Sequence, residues 1–106
     1  MYKVVVFVPI EKADELRKEI GNAGGGKIGN YSHCSFSSRG IGRFKPLEGA
    51  NPTIGEVGEL EEVEEERIEF VCADNALTGV LAAIRKAHPY EEPAIDVWGL
   101  EDVNTS

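Results

Sequence analysis

Two histidines and two cysteines are the residues of this 106-residue chain best suited to metal or nucleophilic chemistry. His33 and Cys34 are adjacent, Cys72 and His88 stand apart, and Glu66, Glu69, Glu91 and Glu92 are the carboxylates near them in sequence. Imidazole, thiolate and carboxylate together suit zinc or copper. A divalent metal, zinc or copper, would draw on His33, His88 and Glu66. No C-x-x-C or H-x-x-x-H spacing accompanies them, so the metal reading rests on residue identity alone. A Cys34 nucleophile with a His33 base needs the ring within hydrogen-bond reach of the sulfur. On a strand over 30–38, neighbouring side chains point to opposite faces. One ion then cannot hold both, and a base for Cys34 would have to come from the partner subunit's His88. Cys72 aligns with Ile68 and Phe70 and reads as a small core residue. His88 reads as a helix-end residue satisfied by a hydrogen bond.

Two phosphate-loop patterns also occur. Gly21 to Lys27 fits G-x-x-x-x-G-K, with Ile28 where a Ser or Thr would hold magnesium, and Gly24, Gly26 and Gly29 fit G-x-G-x-x-G. Both need a strand before and a helix after, so that backbone N–H groups face the phosphate. Here the order is reversed, which predicts a glycine-rich helix stop; a looser anion nest around Lys27 is the functional alternative.

These residues must be held by a small set of elements. Residues 2–9 form a strand with Val4, Val6 and Val8 on one side and Val5 and Phe7 on the other; both sides are apolar, as in a central strand. Ala13, Leu16 and Ile20 recur at helical spacing over 11–22. The periodicity predicts a strand over 30–38, a turn at Arg39-Gly40, a short strand from Ile41 to Leu47 completing a hairpin, and a loop from Glu48 to Gly55. The acidic residues 56–73 alternate into Ile68, Phe70 and Cys72 and read as strand, with Glu59 to Glu66 on a solvated edge or hairpin. A second helix over 75–88, capped by Asp74 or Asn75, ends before Pro89. A last strand covers 94–100, followed by a frayed tail from Glu101 to Ser106.

The order predicts an α+β, ferredoxin-like fold: an antiparallel sheet with two helices on one face. The other face is left bare by this chain although the first strand is apolar on both sides, so a second copy is expected to cover it. The net charge of −8 and the scatter of the 11 Lys and Arg exclude nucleic acid as the main partner and disfavour anionic membranes. No apolar run approaches the roughly 20 residues of a membrane span. The opening Met1 to Pro9 reads as a strand rather than a signal peptide. Two cysteines make no disulfide framework, and the cytoplasm is the expected compartment.

Five blocks carry a resemblance over nearly the whole chain: Asn30-Tyr31-Ser32-His33-Cys34-Ser35-Phe36, Gly40 to Phe44, Gly49 to Gly55, Glu65 to Glu69, and His88-Pro89-Tyr90-Glu91-Glu92-Pro93-Ala94-Ile95-Asp96. In these the chain resembles the YqfO-type domain, the insert domain of the YqfO branch of the GTP cyclohydrolase type II-like proteins, which also occurs as a free-standing protein. The His88 to Glu91 corner is also similar to one in CutA proteins. The resemblance implies a PII/CutA-like fold and a homo-oligomer, with a trimer favoured. It implies no enzyme, because the di-metal centre of the larger family lies in the flanking domain and its ligand motifs have no counterpart here. PII-type regulators carry a long nucleotide-sensing loop where Ile41 to Gly55 lies, but the sequences do not match. The expectation is a non-catalytic binding or regulatory module with a small-molecule or anion ligand between subunits, lined by Asn30, Tyr31, His33, Cys34, Arg67, His88, Tyr90 and Glu91. A CutA-like divalent metal-binding protein is the alternative, and a small hydrolase the third reading.

Overall fold

Tyr2–Pro9 forms strand β1, and its even-numbered valines point to a different side from Val5 and Phe7. Pro9 fixes φ at −52° at the start of α1 (Ile10–Asn22), which buries Ala13, Leu16 and Ile20. The computed structural model describes residues 1–101 and 103. Beyond α1 the chain continues through β2 (Phe36–Phe44), β3 (Glu61–Cys72), a 3-10 turn (Asp74–Ala76), α2 (Leu77–Ala87) and β4 (Ile95–Gly99). Among the described residues the sheet order is β2-β3-β1-β4, with every neighbouring pair antiparallel. This is the ferredoxin-like βαββαβ arrangement the sequence predicts.

The helices share one side of the sheet. Leu16, Ile20, Val80 and Ile84 pack in one cluster with Val4, Val6, Val8, Ile68, Phe70 and Cys72. Arg17 of α1 pairs with Glu66 of β3 and Asp14 on this side, and its Nη1 also lies 3.3 Å from Ser37 Oγ. On the opposite side the register aligns Lys3 with Val71 and Trp98, Val5 with Glu69 and Asp96, and Phe7 with Arg67. No described helix or strand covers that side. It is less uniformly apolar than expected, because Lys3, Glu65, Arg67, Glu69 and Asp96 alternate with Val5, Phe7, Val63, Val71 and Trp98. Val5 is nevertheless only 1 % exposed, hidden among the side chains of its own face, whereas Trp98 is 44 % exposed.

Four expectations are corrected. The hairpin turn at Arg39-Gly40 is absent: both residues lie inside β2, paired with Glu66 and Glu65. The twelve-residue β3 offers a full ladder, and that overrides the local turn preference of Arg-Gly. Residues 30–35 are not strand, because the chain turns back through an Ile28–Tyr31 bridge and a left-handed His33 (φ 59°). The acidic run is a solvated hairpin edge only in part, since from Glu65 onward β3 lies between β2 and β1. Glu61 to Glu64 project past the end of β1 and pair only with β2, while Glu65 and Glu66 are buried. Asp74 and Asn75 make no side-chain cap to the 3-10 turn or to α2; Asp74 instead pairs with the Met1 amino group.

The glycine-rich stretch is a helix stop. Gly24, Gly25 and Gly26 donate their N–H groups to Gly21 O, Ile20 O and Val71 O, so these amides are not available to an anion. Gly26 has φ 76°, and a Cβ there would meet Cys34 O at 2.2 Å. Gly26→Ala is expected to cost about 3 kcal/mol by combining left-handed strain with backbone overpacking. Gly29→Ala, also left-handed but with open space around it, should cost only about 1 kcal/mol. Urea denaturation of the two variants checks the difference; equal losses would contradict it.

Candidate functional site

The chemistry concentrates where α2 ends. His88 leaves the helix with an extended backbone (φ −73°, ψ 136°), as Pro89 requires of the residue before it. Its Nε2 donates to Phe7 O (2.6 Å), and its Nδ1 accepts the Tyr90 N–H (3.1 Å). The ring is thereby held neutral, in one tautomer, at 6 % exposure. Burial is the main influence lowering its pKa below 6.5, opposed by the Phe7 carbonyl and Glu65. Tyr90 then donates its hydroxyl to Glu65 Oε2 (2.8 Å) and sets its ring edge-on to Phe44 at 5.8 Å. Burial, followed by the Glu65 hydrogen bond and the surrounding carboxylates, raises the Tyr90 pKa and keeps the phenol protonated.

The segment between β2 and β3 folds back onto this corner. Asn51 N–H donates to Glu91 Oε1 (3.0 Å), and Thr53 Oγ1 donates to Pro89 O (2.6 Å). Between them opens a cleft of about 970 Å³, floored by Phe7, Gly42, Phe44 and Glu65 and walled by residues 45–50 and 52–54 and by Tyr90, Glu91, Glu92 and Ala94. That volume suits a small organic ligand. The floor depends on Gly42, because a Cβ there would lie 1.9 Å from Glu65 Oε1.

The expected site residues fall into separate places. His88, Tyr90 and Glu91 meet at the corner. Arg67 lies on the open sheet face, its guanidinium 5.9 Å from the Phe7 ring centre and 3.6 Å from Glu69. Asn30, Tyr31, His33 and Cys34 are at the far end of the sheet, where Gly26 bonds Val71 opposite Lys3. There His33 Nε2 donates to Asn22 Oδ1 (3.0 Å) and its Nδ1 accepts from Ser32 Oγ (2.9 Å). The Cys34 thiol lies near Ser32 O, and Tyr31 is 75 % exposed. His33, His88 and Glu66 do not converge. Both nitrogens of His88 are engaged, Glu66 faces Arg17, and His33 belongs to the far end. Among the described residues no three His, Cys, Asp or Glu side chains are grouped as metal ligands. Cys72 is core as expected, and burial pushes its thiol pKa up. Sequence reasoning missed Phe7, Gly42, Glu65 and the Pro52-Thr53-Ile54 wall. Glu65 was hidden in an acidic run whose members look alike; only the alternation of Gly40, Gly42 and Phe44 hinted at a special surface.

With this geometry, the chain has the CutA/PII-like fold. It superposes on CutA1 from Pyrococcus horikoshii over 98% of this chain and 87% of that one, with a TM-score of 0.71 and 20% identity. The PII-like protein CutA from Nostoc sp. PCC 7120 gives a TM-score of 0.70 at 14% identity, over 100% of this chain and 86% of that one. Sequence identifies the particular relatives: the chain is homologous to one segment of the GTP cyclohydrolase 1 type 2 homologs, the YqfO-type proteins. It is 53% identical over 100 residues to the one from Halalkalibacterium halodurans (94% of this chain, 27% of the relative) and 54% identical over 99 residues to that of Bacillus subtilis (93% and 26%). A Bacillus cereus protein related to NIF3 matches 95% of this chain and 26% of its own length at 51% identity, with a TM-score of 0.82. The chain thus spans about a quarter of the length of these relatives. No protein-family model matches it. Among the described residues no helix is long and apolar enough to cross a membrane.

The lowered His88 pKa predicts how stability changes with pH. The unfolded chain takes up a proton near pH 6.5, and the folded chain only at lower pH. Stability is therefore whole above about pH 6.5 and is lost as pH falls through the folded pKa. Thermal midpoints measured from pH 8 downward should begin to fall below about 6.5. A His88→Gln variant, less stable throughout, should lack that decline.

Proposed function

We propose that this chain is a non-catalytic binding or regulatory module that works as a homo-oligomer, a trimer in the favoured form, in the cytoplasm. Its ligand site is the cleft at the His88–Ala94 corner, completed at its rim by a neighbouring copy. The observation that carries the reading is the uncovered sheet face beside that cleft. It presents Phe36 at 68 % and Trp98 at 44 % exposure, around the apolar centre of β1. Apolar surface of this kind favours association. Its alternating charges set partner register: Lys3 and Arg67 lie among Glu69 and Asp96, so cations of one copy can meet carboxylates of the next around a closed ring. The CutA/PII-like fold and the homology to a segment of larger proteins support a binding role at family level. Tyr90 and His88 are engaged within the corner itself, which supports a ligand-holding arrangement over a reacting one.

Light scattering on the chromatographed protein at micromolar concentration should give three copies of the 11.5 kDa chain. Trp98→Glu places a carboxylate within the proposed contact and should yield a folded monomer by circular dichroism. A monomeric parent protein would end the oligomer reading.

A further inference from the structure

Resting on the cleft as the ligand site, we infer that it takes an organic cation: an ammonium or guanidinium on a short apolar stem. Four features of the cleft meet in this assignment. Glu65 is 8 % exposed, and its Oε2 is held by Tyr90. Its Oε1 accepts no hydrogen bond from the described residues and lies over Gly42, where the missing side chain leaves it reachable. A buried carboxylate oxygen with one open acceptor position favours a charged donor over a neutral one.

Aromatic rings surround it. Phe7, Phe44 and Tyr90 line the same cleft, and rings around a carboxylate attract cations through their negative faces. The chain already shows this preference, since Arg67 lies over Phe7. The stem would pack on the apolar wall of Pro46, Leu47 and Ile54. The charge balance agrees. Of the two basic residues lining the cleft, Arg43 is paired with Glu62 (3.2 Å) and Lys45 makes no ion pair among the described residues, while Glu48, Glu91 and Glu92 join Glu65 and leave the lining with more carboxylates than cations. An anionic ligand would face all of these.

The test uses the assembled chain and three probes of one shape: butylguanidinium, its neutral analogue butylurea, and pentanoate. Amide chemical shifts of Phe44, Ala50 and Tyr90 report cleft occupancy. Butylguanidinium should move them, with butylurea and pentanoate at least tenfold weaker. Glu65→Gln should weaken the cation at least tenfold, and Phe44→Leu severalfold. Acetyl-arginine methylamide separates two sources of the same chemistry: tighter binding than butylguanidinium points to an arginine side chain presented by a peptide, and equal or weaker binding to a free small cation. If pentanoate moves these amides and butylguanidinium does not, the cleft is a ligand site and the cation assignment is wrong. Equal binding of butylguanidinium and butylurea to the parent protein overturns it without any variant. If no probe moves the amides of a folded protein, the assignment fails together with the reading of the cleft.

Discussion

The carbonyl of Phe7 organises this molecule. At that point β1 has no further partner on its β4 side: Val6 pairs with Ile95, and the Phe7 N–H reaches Ala94 O. Its carbonyl would face a gap, and a buried carbonyl without a donor is costly. His88 Nε2 fills the gap. That one bond anchors the end of α2, which Pro89 stops, and fixes which tautomer the ring adopts. It also fixes where Tyr90 stands, because the other ring nitrogen holds the Tyr90 N–H. Tyr90 in turn restrains Glu65. The cleft is therefore the end of a chain of hydrogen bonds that begins at the central strand.

The two sides of the sheet have different physical characters. On the helix side, the apolar residues beneath α1 and α2 are buried, and the Arg17–Glu66 pair is accommodated where α1 crosses β3. A charge pair there contributes specificity more than stability, since two ions must be taken from water to form it. On the other side, apolar and charged residues alternate along β1, β3 and β4. Only the cleft end of that surface is roofed by the chain's own loop, through Asn51 and Thr53.

What could be read in advance was whatever repeats with the period of a helix or strand. Ala13, Leu16 and Ile20, the twofold alternation through Ile68, Phe70 and Cys72, and the proline stop after His88 all appear where the pattern places them. The helix-end role of His88 was legible for the same reason. What could not be read was set by distant partners. Arg39-Gly40 is a turn in isolation and a strand when β3 lies alongside. Glu65 differs from Glu64 only by the face it occupies and by a tyrosine 25 positions away. His33 adopts a left-handed backbone that no periodicity announces. The candidate site was half legible, because its corner is a compact local motif while its floor and wall arrive from other parts of the chain.

The first and last strands also lie side by side. Tyr2 pairs with Gly99, and Leu100 N–H donates to Met1 O (3.0 Å). The two ends of the folded unit are thus about one strand spacing apart, roughly 5 Å. A host polypeptide could branch into this fold and rejoin its own path almost where it left, without stretching either junction. The same architecture can therefore be carried in the middle of a longer chain.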